Sequence, residues 1–414
     1  MNEEAQAGAR LSTYHRWLFF FLGVAGFFEG YDTFALTQLL PSIRVEMGLS
    51  KSQEGWLIGA IGVGSILAYG LVRRADRWGR RRALTVTIIG YTVCTLLTGL
   101  SRDVWTFGAA QLCARVFLIA EWAIGIVYAA EEFPAERRGT VIGVLNGLNG
   151  FGAVVCAGVA PVIAASSLGW RGVYFIGAVP LLLMTIARRS LRETRRFTEQ
   201  VVGAGIGRQP FTRLLMPPWR RRTLLMAAIW WLTYACVVNA ISFWKEHAIS
   251  ERGFADQEVG MYIAIAAVAA IPLALASGKL LDRAGRRVGA AVIFGTLIFG
   301  VLGCYTLESR GVVVAALVLG VTGTTAVGTV LGAYTAELFP TALRGDAFSW
   351  SNNLLGRTAA VLSPILAGHA AERFGWGRTV AVTTIFPAAA LALILLAMPE
   401  TRGLELEETS APAA

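Results

Sequence analysis

The chain has 414 residues, of which 55% are hydrophobic and 15% charged, with 46 glycines. That is too apolar for one soluble core, and runs of the roughly 18 residues that a bilayer demands of a helix recur along nearly the whole length. The net charge of +10 lies between those runs rather than on one face, which argues against nucleic acid as a partner.

Strand-like alternation is absent, and spans in lipid must satisfy their own backbone groups, so the runs predict helices. The reading is an all-α membrane protein with twelve spans and no cleavable leader, because the first apolar run is already of full length. Helix 1 (17–40) carries Glu29 and Asp32 in "FFEGYDTFALTQLLP". Helix 2 (55–72) ends at "VRRADRWGRR", with Asp76, Arg77 and Arg80. Helix 3 covers 83–100. Helix 4 (104–129) contains Arg115 and Glu121 and is followed by Glu131 and Arg138. Helix 5 (139–165) holds Asn146, and helix 6 covers 171–187.

An arginine-rich stretch, 188–222, with a Gly-Ala-Gly-Ile-Gly run and a Pro217-Pro218 pair, reads as a linker between the halves 1–187 and 223–414. Helix 7 (223–244) contains Trp230, Trp231 and Tyr234, with Trp244 expected in an interfacial belt. Helix 8 (257–277) leads to "GKLLDRAGRR", with Asp282, Arg283 and Arg286. Helix 9 spans 288–306. Helix 10 (311–335) carries Thr322, Thr325 and Thr329 on one face and is followed by Glu337 and Arg344. Helix 11 (347–370) contains Asn352, Asn353 and Arg357, with His369 near its end, and helix 12 covers 379–397. Lys and Arg concentrate in the loops on one side, which places both termini in the cytoplasm by the positive-inside rule. The five cysteines fall inside spans without metal-type spacing and read as packing residues.

The two Asp-Arg knots are 206 residues apart, and the same offset pairs many other positions. Tyr128 pairs with Tyr334, Glu131 with Glu337, Phe133 with Phe339, Asn146 with Asn352, and Gly169-Trp170 with Gly375-Trp376. The chain is a duplicated six-helix unit. Six is even, so both copies enter the membrane from the same side as parallel repeats.

These motifs resemble those of the major facilitator superfamily over essentially the full chain. "GKLLDRAGRR" is similar to its G-x-x-x-D-R-x-G-R-R loop; the first copy has Val72 where that motif has glycine. "AEEFPAERRG" and "AELFPTALRG", with "RETRRF" and "PETRGLELEE", resemble elements of its sugar-porter and metabolite:proton symporter branches. The resemblance implies a cytoplasmic latch built from Asp76, Arg77, Arg80, Glu131 and Arg138 in one copy, and from Asp282, Arg283, Arg286, Glu337 and Arg344 in the other. It also implies that helices 1, 4, 7 and 10 line the cavity.

Ionisable groups inside a span cost at least ~2.5 kcal/mol each and call for a reason. Glu29 and Asp32, three apart, share a helix face. By helical rise, Asp32 lies about 12 Å and Arg115 about 16 Å from the outer ends of their helices, so the two side chains can meet if helices 1 and 4 are neighbours. "GYDT" (30–33) is similar to the helix 1 element in which an aspartate carries the proton in proton-coupled relatives. Asp32, Arg115 and Glu29 are therefore the proton-coupling candidates; the alternative is a static buried ion pair. Glu121 reads either as a snorkelling helix-end acid or as part of a symporter element. Arg357, which matches part of an aromatic-acid symporter element, is the anion-attracting candidate. Asn352, Asn353, Asn146, Tyr234 and Trp230 are candidates for substrate contact.

No enzymatic constellation stands out: there are three histidines, no phosphate-binding glycine loop and no metal cluster, so no cofactor is expected. The expectation is a secondary transporter of a bacterial inner membrane, monomeric, moving a small organic anion with protons by alternating access. The alternative is a sugar or polyol porter; drug efflux and a transporter-like nutrient sensor rank below it. Helix 7 lacks the Gln pair and helix 10 the G-P-x-x-W element of sugar porters.

Overall fold

A computed structural model describes residues 13–133, 135–187, 193, 211–340 and 343–402. Twelve long helices dominate the described residues. They are α1 (Thr13–Met47), α2 (Lys51–Trp78), α3 (Arg80–Leu100), α4 (Val104–Glu132), α5 (Ala135–Ala164), α6 (Gly169–Ala187), α7 (Arg220–Ser242), α8 (Asp256–Ala284), α9 (Arg286–Thr306), α10 (Arg310–Glu337), α11 (Thr358–Val382) and α12 (Ile385–Ala397). Short helices at Trp244–Ser250 and Arg344–Phe348, and a π-helical stretch at Ser349–Gly356, complete the second half. Among the described residues, ten helical segments are long and apolar enough to cross a bilayer; the last, Arg344–Ala397, runs through α11 and α12. Many large apolar side chains lie on the outside, among them Phe299, Leu366 and Leu396. In water such a surface would aggregate; against lipid tails it is the solvated face.

The duplication is written in the backbone. Gly79 and Gly285 both have φ 92°, and each starts a new helix immediately after the preceding one ends. Gly169 and Gly375 repeat the pattern with φ 58° and 77°. All four lie in the left-handed region that side-chain-bearing residues avoid. The pairs Tyr128 and Tyr334, Phe133 and Phe339, and Trp170 and Trp376 are all buried.

The chain forms two compact units that do not follow the sequence midpoint. One comprises Met1–Leu36 with Leu67–Ile206, the other Thr37–Ile66 with Gly207–Ala414. The tip of the α1–α2 hairpin therefore packs with the second half, which the expected 187/223 boundary does not convey.

In the first unit α1 crosses α5 so closely that a Cβ at Gly30 would lie 1.8 Å from the Asn149 carbonyl oxygen. Its core joins Leu18, Leu84, Tyr91, Leu118, Ile124 and Tyr128. In the second unit Gly55 and Gly59 of α2 meet the backbone of α11, where a Cβ would lie 2.3 and 2.6 Å from the Pro364 and Val361 carbonyl oxygens. Small residues permit this approach, and dispersion contacts stand in for a hydrophobic drive that lipid does not supply. Hydroxyls in both units return to their own helices: Thr92 donates to Ile88 O, Thr322 to Val318 O and Thr325 to Val321 O. Cys94, Cys156, Cys236 and Cys304 are buried as packing groups, whereas Cys113 is exposed. Trp244 departs from the expected belt: it is buried and packs on Tyr305 and His247.

Candidate transport site

Each unit holds its own cluster of polar groups inside the apolar bundle. In the first, Asp32 of α1 is 8% exposed. The Tyr91 hydroxyl of α3 donates to Asp32 Oδ2, and Thr95 Oγ1, one turn further along α3, donates to the same oxygen at 3.2 Å. The other oxygen, Oδ1, is buried without a hydrogen bond among the described residues and lies against Gly177 of α6, where a Cβ would be 3.1 Å away. Arg115 of α4 is half-buried and acts electrostatically on both Asp32 and Glu29. The direct partners of Asp32 are thus α3 hydroxyls, which sequence reasoning did not single out.

Glu29 sits one turn before Asp32, and Glu121 of α4 acts on it electrostatically. Both acids line a cavity of about 10 Å³ with Gly26, Trp122, Gly125 and Leu145. Glu121 does not snorkel: it is 5% exposed and accepts a bond from the Thr87 hydroxyl. Three carboxyl groups therefore share one buried neighbourhood with the guanidinium of Arg115. Low-dielectric surroundings disfavour three negative charges beside one positive charge.

In the second unit Trp230 and Tyr234, one turn apart on α7, stack with centroids 5.4 Å apart and planes 25° apart. The Tyr234 hydroxyl donates to Asn352 Oδ1 at 2.9 Å. Asn352 lies in the π-helical stretch, whose wide turn ends with Arg357 N donating to Asn352 O at 2.9 Å. That i→i+5 bond puts Asn352 one turn before Arg357, where ordinary helical spacing predicts Asn353; Asn353 is half-buried beside it. π turns recur at functional sites because they re-aim side chains. Gly356 lets this stretch close on α7, since a Cβ there would lie 2.8 Å from Trp230 Cβ. Arg357 Nε and Trp230 Nε1 are buried and make no hydrogen bond among the described residues. Asn146, the repeat partner of Asn352, is exposed and donates to Ile142 O of its own helix, so the two asparagines sit in different surroundings.

The repeated arginine motifs build two matching clusters. Arg80 Nη2 and Nε reach Glu131 Oε1 at 3.1 and 3.3 Å, and Nη1 donates to Ala75 O. Arg286 Nη2 and Nε reach Glu337 Oε1 at 2.8 and 3.2 Å, and Nη1 donates to Leu281 O. Glu193 accepts from the backbone N–H of Arg80 and Arg81, and Glu400 from those of Arg286 and Arg287. These carboxylates cap α3 and α9, and backbone bonds hold Glu400 below the ordinary carboxylate range although burial opposes them. Asp282 is a lesser member than expected: its side chain is 74% exposed and takes one bond, from Arg286 Nη1 at 3.1 Å. Arg344 Nε donates to Phe339 O. Arg283 instead lines, with Lys279, a groove of about 490 Å³ among α8, α9 and α10. The side chains of Asp76, Arg77 and Arg138 lie outside the described residues.

Residues 22–358 match the Major Facilitator Superfamily. The chain belongs to that superfamily. It is 25% identical over 387 residues to the "Probable 4-methylmuconolactone transporter" of Cupriavidus pinatubonensis, covering 92% of this chain and 89% of that protein. It is also 25% identical over 387 residues to the cis,cis-muconate transport protein of Acinetobacter baylyi, covering 90% of each. Among solved structures it is similar to a D-xylose-proton symporter, with TM-score 0.77, 18% identity and coverage of 94% of this chain and 99% of that one. The protein is a membrane-embedded transporter with the major facilitator fold and takes a small-molecule substrate; it is not an enzyme.

For this major facilitator protein, sequence reasoning found the buried charges and missed their neutral partners. Tyr91 and Thr95, at i and i+4, were the available signal, but hydroxyls at that spacing also serve helix packing. Glu193 and Glu400 lay within motifs already noted, without a role.

Proposed function

We propose that the transporter takes up a small organic anion, an aromatic or other unsaturated carboxylate, together with protons by alternating access. The observation that carries this reading is the division of labour between the clusters. One holds three carboxyl groups beside a single arginine, and the other carries Arg357 next to Gly356, where the π-helical stretch closes on Trp230 of the stacked pair. A substrate carboxylate would pair with Arg357, with Asn352 and Tyr234 supplying neutral hydrogen bonds and Trp230 a face for the ring. Asp32 would carry the coupled proton, received at Oδ1 while Tyr91 and Thr95 hold Oδ2. Glu29 and Glu121 would extend the proton path. The names of the muconate and methylmuconolactone transporters support a carboxylate over a sugar.

On this reading the Arg80–Glu131 and Arg286–Glu337 clusters form the cytoplasmic latch, both termini are cytoplasmic, and the protein resides in a bacterial inner membrane. The test is uptake of labelled cis,cis-muconate, benzoate and xylose into proteoliposomes, with and without an inward proton gradient. Gradient-stimulated uptake of an acid, abolished in Asp32→Asn, is expected. Xylose counterflow that survives the same substitution would replace the reading with a sugar porter.

A further inference from the structure

At the end of α2 opposite the Asp76–Arg81 motif, the α1–α2 hairpin carries charges that the transport cluster does not use. This tip, within residues 37–66, packs in one unit with the short helix Trp244–Ser250 that follows α7. Glu54 of α2 and Glu246 of the short helix have side chains with 0% exposure. Both face one guanidinium: Arg44 Nε lies 2.8 Å from Glu246 Oε1 and 3.7 Å from Glu54 Oε1. None of the four carboxylate oxygens accepts a well-directed hydrogen bond among the described residues.

The surrounding charges have partners of their own. Lys51 pairs with Glu251, which also accepts from His247 Nδ1 at 2.8 Å and from the backbone N–H of Trp376 and Gly377. Lys245 pairs with Asp256. From α11, Glu372 and His369 bond Ser52. Two fully buried carboxylates are thus left to share Arg44, and one proton balances the set. An unpaired buried charge is the alternative, and a group in that position neutralises instead.

We infer that Glu54 and Glu246 form a second proton-binding site, holding one proton between them beside Arg44 while the hairpin tip is packed and releasing it when the tip separates. The site is independent of Asp32 and of which substrate is carried. It adds a proton-linked contact at the opposite end of α2 from the arginine motif. Burial lifts the Glu246 carboxyl above the ordinary range, against the opposing pull of Arg44. The sign follows: a carboxyl raised in the folded state stabilises fully below its unfolded value, and the contribution disappears as pH rises through the folded value. Burial lowers His247, so it stays neutral at alkaline pH, and Glu251, at about 2, stays ionised. Neither titrates in the window that matters.

The test is the thermal midpoint of the purified full-length protein in lipid nanodiscs at neutral and at alkaline pH, because a raised carboxyl releases its proton as pH rises. Wild type is expected to lose several degrees across the range. Glu246→Gln and Glu54→Gln each leave a one-to-one pair with Arg44, so each variant should gain on wild type progressively as pH rises. A gap that stays constant with pH, or a Gln variant that is less stable throughout, overturns the site in favour of an ordinary ion pair. If either variant folds poorly, infrared difference spectra of wild type and Asp32→Asn decide. Both should show a protonated-carboxyl band bleaching between the two pH values; a bleach of undiminished amplitude in the Glu54→Gln/Glu246→Gln double variant instead sinks the proposal. Failure here leaves Asp32-dependent uptake untouched, so the two readings fail separately.

Discussion

Asp32 offers its two oxygens to different surroundings: Oδ2 is held by Tyr91 and Thr95, while Oδ1 has no hydrogen bond among the described residues. Removing the phenolic donor should upset this asymmetry more than removing the threonine. A hydrogen bond to a charged group contributes about 1.5–3 kcal/mol, so Tyr91→Phe is expected to cut gradient-driven uptake roughly tenfold or more at unchanged protein level. Thr95→Ala should do less, and counterflow, which needs no net proton movement, should be spared in both. At Arg357 the expected change is in affinity. A lysine cannot reproduce a planar two-point grip on a carboxylate, so Arg357→Lys should raise the apparent KM for the acid by about tenfold, with a smaller effect on the maximal rate. Asp32, Glu29, Arg115 and Arg357 were legible in the sequence because charge in an apolar run is rare. Tyr91 and Thr95 were not, because a neutral hydroxyl in a helix has many uses and only the packing of α3 on α1 selects this one.

The helices themselves were equally legible, since hydropathy, the repeat offset and the glycine turns all report local chemistry. Their irregularities were not. The π turn at Ser349–Gly356 depends on Gly356 seating against Trp230, a long-range contact that hydrophobic periodicity does not encode. Nor does the motif offset persist to the end: Glu193 and Glu400 do the same capping work but are 207 rather than 206 residues apart. Because that cap is a carboxylate on free backbone N–H groups, Glu400→Gln should cost about 1 kcal/mol. Thermal unfolding at neutral pH would read this as a drop of a few degrees. Gly59→Leu, placed against the Val361 carbonyl, should cost about 1–3 kcal/mol through overpacking and lower the midpoint by more than Gly70→Leu, where a Cβ meets nothing within 4 Å.

At the scale of the whole chain, duplication and spatial division do not coincide. Each arginine cluster bonds within its own unit, so Arg80→Gln and Arg286→Gln should lower the thermal midpoint additively in the double variant. The sequence split at 187/223 follows the repeat and the linker composition; it has no way to report that the tip of one hairpin packs with the other repeat. Both helices of that hairpin, α2 and α1, cross this division, and α1 is the longer. It carries Asp32 in one unit and Arg44 in the other, twelve residues and about 18 Å apart on a single rod, with Pro41 just before Arg44. An α-helix transmits tilt rather than absorbing it, except where a proline removes a backbone bond. The helix runs on through Pro41, whose missing N–H makes that residue the place where α1 can bend.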